Sequence, residues 1–199
     1  MSAAGTISNR SERRARARDA SRASILESAR RVAARDGARN LSLRGVAAEA
    51  GFAPAALYGY FANKDELLLA LAAEDLAALS RAMREAVATD GGEGKLTAAA
   101  AAALTLLCEN ETMAAAQGAL PSHSGSSDAE RLFNGRMIAA LKVLSDATGQ
   151  PADRRDNQCD VVLVAAALAG LALLSRSGRL EALGFAPAEV LKRLGERFS

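Results

Sequence analysis

The chain has 199 residues, half of them apolar, so it can bury a substantial core and is not a disordered tail. Alanine (48) and leucine (27) dominate, whereas valine, isoleucine and threonine together number 17. Strong helix formers against few β-branched residues predict an all-α protein of about nine helices and exclude a parallel-sheet enzyme. The formal net charge of +2 conceals an asymmetry: residues 1–66 carry 12 Lys/Arg and 7 Asp/Glu, whereas residues 67–199 carry 13 and 16, so a basic head precedes a slightly acidic body.

Residues 1–21 are dense in arginine and weak in apolar periodicity, which predicts a mobile basic arm. A secretory signal is not expected, because no apolar stretch of 7–15 residues follows the charges; an arginine-rich start also occurs in organellar transit peptides. From Ser24 the helical period begins, with Ile25, Ala29, Val32 and Ala33 on one face and Gly37 as a stop. Ser42 caps a second helix over Leu43–Ala50, and Gly51 ends it. A third helix is predicted over Pro54–Tyr60, with proline in the tolerated first turn. Asn63 and Glu66 then form a capping box for a long helix to Thr89.

Gly91, Gly92 and Gly94 break that helix, and an almost wholly apolar one follows over Lys95–Glu109. A short helix is expected from Glu111 to Leu120, then a loop over Pro121–Ser127. Asp128–Thr148, Pro151–Ser177 and Pro187–Phe198 complete the nine. Val161–Leu174 is apolar around its circumference, so it should be buried on all sides, and its 14 residues fall short of the ~18 of a membrane span. No membrane association is expected.

The informative stretch is Leu41–Leu67, LSLRGVAAEAGFAPAALYGYFANKDEL. Two short helices crossing steeply need a small residue where they touch, a glycine at the turn and an apolar plug on the second helix. Ala47, Gly51 and Leu57 meet those needs. This is helix-turn-helix spacing, although an ordinary αα-corner uses the same physics.

The residues around it resemble the TetR family of bacterial transcriptional regulators. The resemblance rests on Ala47-Ala48-Glu49-Ala50-Gly51, Leu57-Tyr58-Gly59-Tyr60-Phe61 and Lys64-Asp65-Glu66-Leu67, covers about residues 22–70, and has a weaker echo at Leu107–Glu111. It implies a three-helix DNA-binding head over 22–66 and a ligand-binding and dimerisation domain over 67–199. It further implies a cytoplasmic homodimeric repressor that binds a double-stranded operator and is released by a small molecule. Ser42 and Arg44 then correspond to backbone and groove-edge contacts. Ala53, Pro54, Ala55 and Ala56 open the recognition helix, Tyr58, Gly59 and Tyr60 face the groove, and Lys64 clamps a phosphate beside a helix N-terminus.

Two residues depart from the family pattern. Ala53 stands where Ser or Thr is usual, and Gly59 where a larger side chain is usual. Direct base readout would rest on Arg44, Tyr58, Tyr60 and apolar contacts to thymine methyls, leaving affinity to phosphates and specificity to DNA shape. Two readings of the basic arm stay open: an extension that contacts DNA, or a solubilising tail.

The resemblance assigns dimerisation to 151–177 and 187–198, where Ala165, Ala169, Gly170 and Ala172 would admit a close partner helix. Helices between 95 and 148 would enclose the effector. Leu104, Leu107, Cys108, Met113, Phe133 and Met137 are candidate walls. Asn110, Gln117 and Arg136 are candidate polar anchors, with Glu109, His123, Asn157 and Gln158 behind them. Four of the seven aromatic residues lie at 52–61, so the body is too poor in rings for an aromatic cage, and an aliphatic or non-stacking effector fits better.

Cys108 and Cys159 have neither metal-ligand spacing nor a disulfide pattern, so no metal or cofactor is expected. One histidine and no nucleophile grouping or phosphate-binding glycine loop argue against an enzyme. The competing reading is a helix-turn-helix protein acting architecturally or through a protein partner, without an inducer.

Overall fold

The computed structural model describes residues 4–91, 94–109, 112 and 127–198. Among these there are nine α-helices and no strand. They are α1 (Ala4–Asp36), α2 (Leu43–Ala50), α3 (Pro54–Leu57), α4 (Lys64–Ala88), α5 (Lys95–Glu109), α6 (Asp128–Ala147), α7 (Arg155–Arg176), α8 (Arg179–Ala182) and α9 (Pro187–Phe198), with a 3-10 turn at Ala38–Asn40. Apart from Thr112, the helix expected over 111–120 lies outside the described residues, and α8 occupies the stretch between the helices expected over 151–177 and 187–198.

One correction concerns the start of the chain. The mobile arm expected over 1–21 is, from Ala4 onward, the first half of α1. Weak apolar periodicity denies this stretch a buried face, but alanine and arginine have high helix propensity. They need only extend a helix already nucleated by the buried Ile25–Ala33 stripe.

Two cores form. In the head, Ile25, Leu26, Ala29 and Val32 of α1 meet Val46 and Ala47 of α2 and Leu57 and Phe61 beyond. The body core joins α4, α5, α6, α7 and α9. Helix α4 serves both: Leu67, Ala70 and Leu71 belong to the head core, and Leu69, Ala72, Leu76, Leu79 and Met83 to the body core. The boundary expected at 66/67 thus falls inside a continuous helix whose first two turns complete the head.

Helix α7 departs from the expectation of burial on all sides. Val161, Val164, Leu168, Leu171 and Ala172 face the core, while Val162 (58% exposed), Leu163 (55%), Ala166, Ala167, Gly170 and Leu173 (66%) lie open in the single chain. This 22-residue helix, whose most apolar stretch of 18 residues has a mean hydropathy of 1.9, is long and apolar enough to cross a membrane by length and composition, although its longest charge-free run is shorter. A buried hydrogen-bond cluster pins its first turn to the end of α6. Asn157 Nδ2 donates to Ser145 Oγ (3.1 Å), and Thr148 Oγ1 donates to Asn157 Oδ1 (2.9 Å). Asn157 is therefore occupied structurally.

Candidate nucleic-acid interface and body cavity

The turn between α2 and α3 is built as its residues dictate. Ser42 Oγ accepts from Gly45 N (3.1 Å) and caps α2, so its hydroxyl already has a structural partner. Gly51 ends α2 at φ 72°, a left-handed conformation that a β-carbon would strain. Ala47, Leu57 and Phe61 are buried, as small contact, plug and core.

Helix α3 is a single turn. The sequence predicts it to Tyr60, but it stops at Leu57, and Ala53 supplies no side-chain cap. Without that cap, only proline at the first position preorganises the helix. Residues 58–60 continue as tight turns, with Gly59 N donating to Ala56 O (3.1 Å) and Tyr60 N to Leu57 O (2.9 Å). A β-carbon on Gly59 would lie 3.2 Å from Ala56 O, so a larger residue there would press on the helix backbone.

Ser42, Arg44, Ala53, Pro54, Ala55, Ala56, Tyr58 and Gly59 are exposed, Tyr58 at 60%. Tyr60 is half-buried and meets Phe52 edge to face at 6.4 Å. Lys64 is half-buried, and its Nζ donates to Arg39 O (2.6 Å). The capping box forms: Glu66 N donates to Asn63 Oδ1 (2.8 Å), and Ala62 N to Glu66 Oε2 (2.6 Å).

Sequence reasoning missed what braces this edge. Arg18 Nη2 donates to Gly59 O (2.8 Å), its guanidinium lies 5.1 Å from the Tyr60 ring centre, and Arg22 lies 5.3 Å from that of Phe61. The four-residue spacing of Arg10, Arg14, Arg18 and Arg22 was the available signal. On the other side of α1, Arg31 and Arg35 donate to Glu49 of α2 (2.9 and 3.1 Å). The hydrogen bond from Arg31, then that from Arg35, holds the Glu49 carboxyl below the usual glutamate range.

Head and body meet at a charged cluster. Arg30 of α1 donates to Glu74 Oε2 and Asp75 Oδ1 of α4, each at 2.8 Å, and the hydroxyl of Thr112 donates to the other oxygen of Asp75. Burial lowers the affinity of Arg30 for its proton, but the two carboxylates more than offset this and raise its pKa above the ordinary value.

The body holds an apolar cavity of about 450 Å³ among α4, α5, α6 and α7. Of the residues expected to line it, Leu107, Phe133 and Met137 do. Leu104 is instead buried in the core, Cys108 is half-buried against that core, and Arg136 is exposed on α6 and is not among the cavity walls. Asn110, Met113, Gln117 and His123 lie outside the described residues. The missed walls are Leu76, Leu79 and Met83 of α4 and Leu168, Ala169, Leu173 and Arg176 of α7. The apolar ones among them have the spacing of any core stripe, so a wall could not be told from a core residue.

A short capped helix, a glycine turn and a second helix plugged by Leu57 define a helix-turn-helix head. Residues 25–71 match the sequence profile described as "Bacterial regulatory proteins, tetR family". A 72-residue stretch is 44% identical to the HTH-type nicotine-responsive transcriptional repressor HdnoR of Paenarthrobacter nicotinovorans. That stretch covers 36% of each chain, so it spans about a third of the relative's length. The fold resembles a TetR-family transcriptional regulator from Streptomyces coelicolor (TM-score 0.62, 20% identity, 90% of this chain and 99% of that one). It also resembles the regulator FadR of Bacillus subtilis in complex with stearoyl-CoA (TM-score 0.60, 17% identity, 88% and 96%).

Proposed function

We propose that the chain is a homodimeric transcriptional repressor that leaves its operator when a small aliphatic or otherwise non-stacking molecule fills the body cavity. The observation that carries this reading is the double duty of α4. Its first turns complete the core of the head, and Leu76, Leu79 and Met83 further along line the cavity. A ligand with unequal affinity for two tilts of α4 shifts the separation of the two heads, and so the match to successive major grooves about 34 Å apart. Among the described lining residues Phe133 is the one aromatic, which favours a ligand that does not stack. A repressor that works on chromosomal DNA resides in the cytoplasm.

In this reading Arg44, Tyr58 and Tyr60 meet base edges, and Ser42, the Ala53–Ala56 backbone and Lys64 meet phosphates. Lys64 would exchange its bond to Arg39 O for a phosphate, so Lys64→Ala should flatten the salt dependence by about one unit of slope for each phosphate it no longer neutralises. The open face of α7, with α9, is assigned to a second copy. Burying Val162, Leu163 and Leu173 there would remove an apolar patch otherwise left in water.

Footprinting on the DNA upstream of its own gene tests the whole. A near-palindromic protected site, released by an apolar metabolite that also raises the melting temperature, is the expected result. Protection without two-fold symmetry, or binding that no metabolite alters, favours the architectural alternative. Gly170→Glu should yield monomers or aggregates in light scattering, because a buried unpaired carboxylate is costly. A well-folded dimer would move the interface away from Gly170.

A further inference from the structure

We infer that Arg10 and Arg14 form a second DNA-contact surface, gripping backbone phosphates outside the stretch that α3 reads. This rests on the DNA-binding reading above. Arg10, Arg14, Arg18 and Arg22 recur every fourth residue on one continuous helix, and at about 100° per residue they form a single row.

The inner half of the row shows where it points. Arg18 is hydrogen-bonded to Gly59 O and lies over Tyr60, and Arg22 lies over Phe61, so the row is docked on the turn that follows the recognition helix. The outer half continues past that turn. At about 1.5 Å per residue, Arg14 and Arg10 sit roughly 6 and 12 Å further along the axis than Arg18. Both are exposed.

The acidic residues of this stretch, Glu12 and Asp19, project about 140–180° around the helix from Arg10 and Arg14. The side continuous with the recognition turn is therefore purely cationic. Guanidinium groups match phosphate oxygens bidentately, and a straight helix that runs past the recognition turn meets the backbone before it meets base edges.

The test uses the full-length protein and a duplex it selects from a random library, with binding followed by fluorescence anisotropy across a potassium chloride series. Arg10→Ala/Arg14→Ala should flatten the slope of log K against log salt by about 0.9 for each phosphate no longer neutralised, up to about 3.6 for two protomers on one duplex. Trimming the flanks should weaken the wild type and leave the double variant unaffected. Arg16→Ala removes the same charge from about 120–160° around the helix and should keep the wild-type slope. The inference is overturned by an unchanged slope in a double variant whose circular dichroism matches the wild type. An equal flattening in Arg16→Ala also overturns it, since that means general charge rather than this row. If no duplex is selected at all, the DNA-binding reading fails with it.

Discussion

Gly195 of α9 runs so close to Thr97 of α5 that a β-carbon on it would lie 2.0 Å from Thr97 Oγ1 and 3.3 Å from Thr97 Cβ. Glycine is required there by the crossing of two helices, not by its own backbone. Gly195→Ala should destabilise the body by about 1–3 kcal/mol through overpacking. Thr97→Ala in the same chain should restore most of that stability, because it deletes the atom in the way. Urea unfolding at one fixed protein concentration measures both; a Gly195→Ala variant as stable as the wild type would show that the Thr97 side chain turns away or α9 slides aside.

Arg30 is the ion-pair partner of Asp75 inside the protein. The Asp75 side chain is 5% exposed, and Arg30 is a third exposed. Arg30→Ala leaves that carboxylate, among the described residues, with the Thr112 hydroxyl as its hydrogen-bond donor. The cost should fall near the lower end of the ~3–5 kcal/mol seen when one partner of a buried pair is removed, because water can reach the vacated site. Replacing both, as Arg30→Met/Asp75→Leu, should recover much of it. If Arg30→Ala alone unfolds like the wild type, the bridge contributes nothing to stability.

Glu49 makes the packing of α2 on α1 sensitive to acid. Its carboxyl is depressed in the fold by Arg31 and Arg35, so the folded state holds fewer protons than the unfolded chain. The stabilisation is complete above the ordinary glutamate pKa of about 4.3, and is lost as pH falls from there through the lowered folded value. Glu49→Gln should therefore flatten the acid limb of a stability–pH curve: it is less stable than the wild type at pH 7, the two converge as pH falls below about 4.5, and the neutral-pH difference shrinks in high salt. An acid limb identical to the wild type would remove Glu49 from the pH response.

The head was legible almost to the residue because local rules act there without competition. Ser42, Gly51, Asn63 and Glu66 each perform the cap or turn that their side chain dictates. The recognition helix was overestimated, since the missing cap at Ala53 and the tight turn at Gly59 both shorten it. The arm was misjudged because apolar periodicity reports burial, and α1 extends by propensity alone. The cavity was legible only in part. Leu107, Phe133 and Met137 were identifiable as apolar body residues, but Leu168 and Leu173 carry the same pattern whether they face a cavity, a core or a second chain. That choice is made by helix packing, which no single helix encodes.

The cavity offers the sharpest separation of DNA binding from effector release. Leu107 on α5 and Leu168 on α7 both line it, whereas neither lies in the head core. A tryptophan at either position adds an indole to a space of about 450 Å³ and occupies volume that an apolar effector would need. Part of the extra ring bulk enters existing space, so the packing penalty should stay at or below about 1–3 kcal/mol. Leu107→Trp and Leu168→Trp should therefore retain operator affinity and lose release by the apolar inducer that acts on the wild type. The measurement is a titration of the protein–operator complex with that inducer, read by anisotropy. Release at the wild-type inducer concentration in both variants would place the effector elsewhere, whereas a variant that no longer binds the operator at all would mean that filling the cavity itself drives α4 to the released tilt.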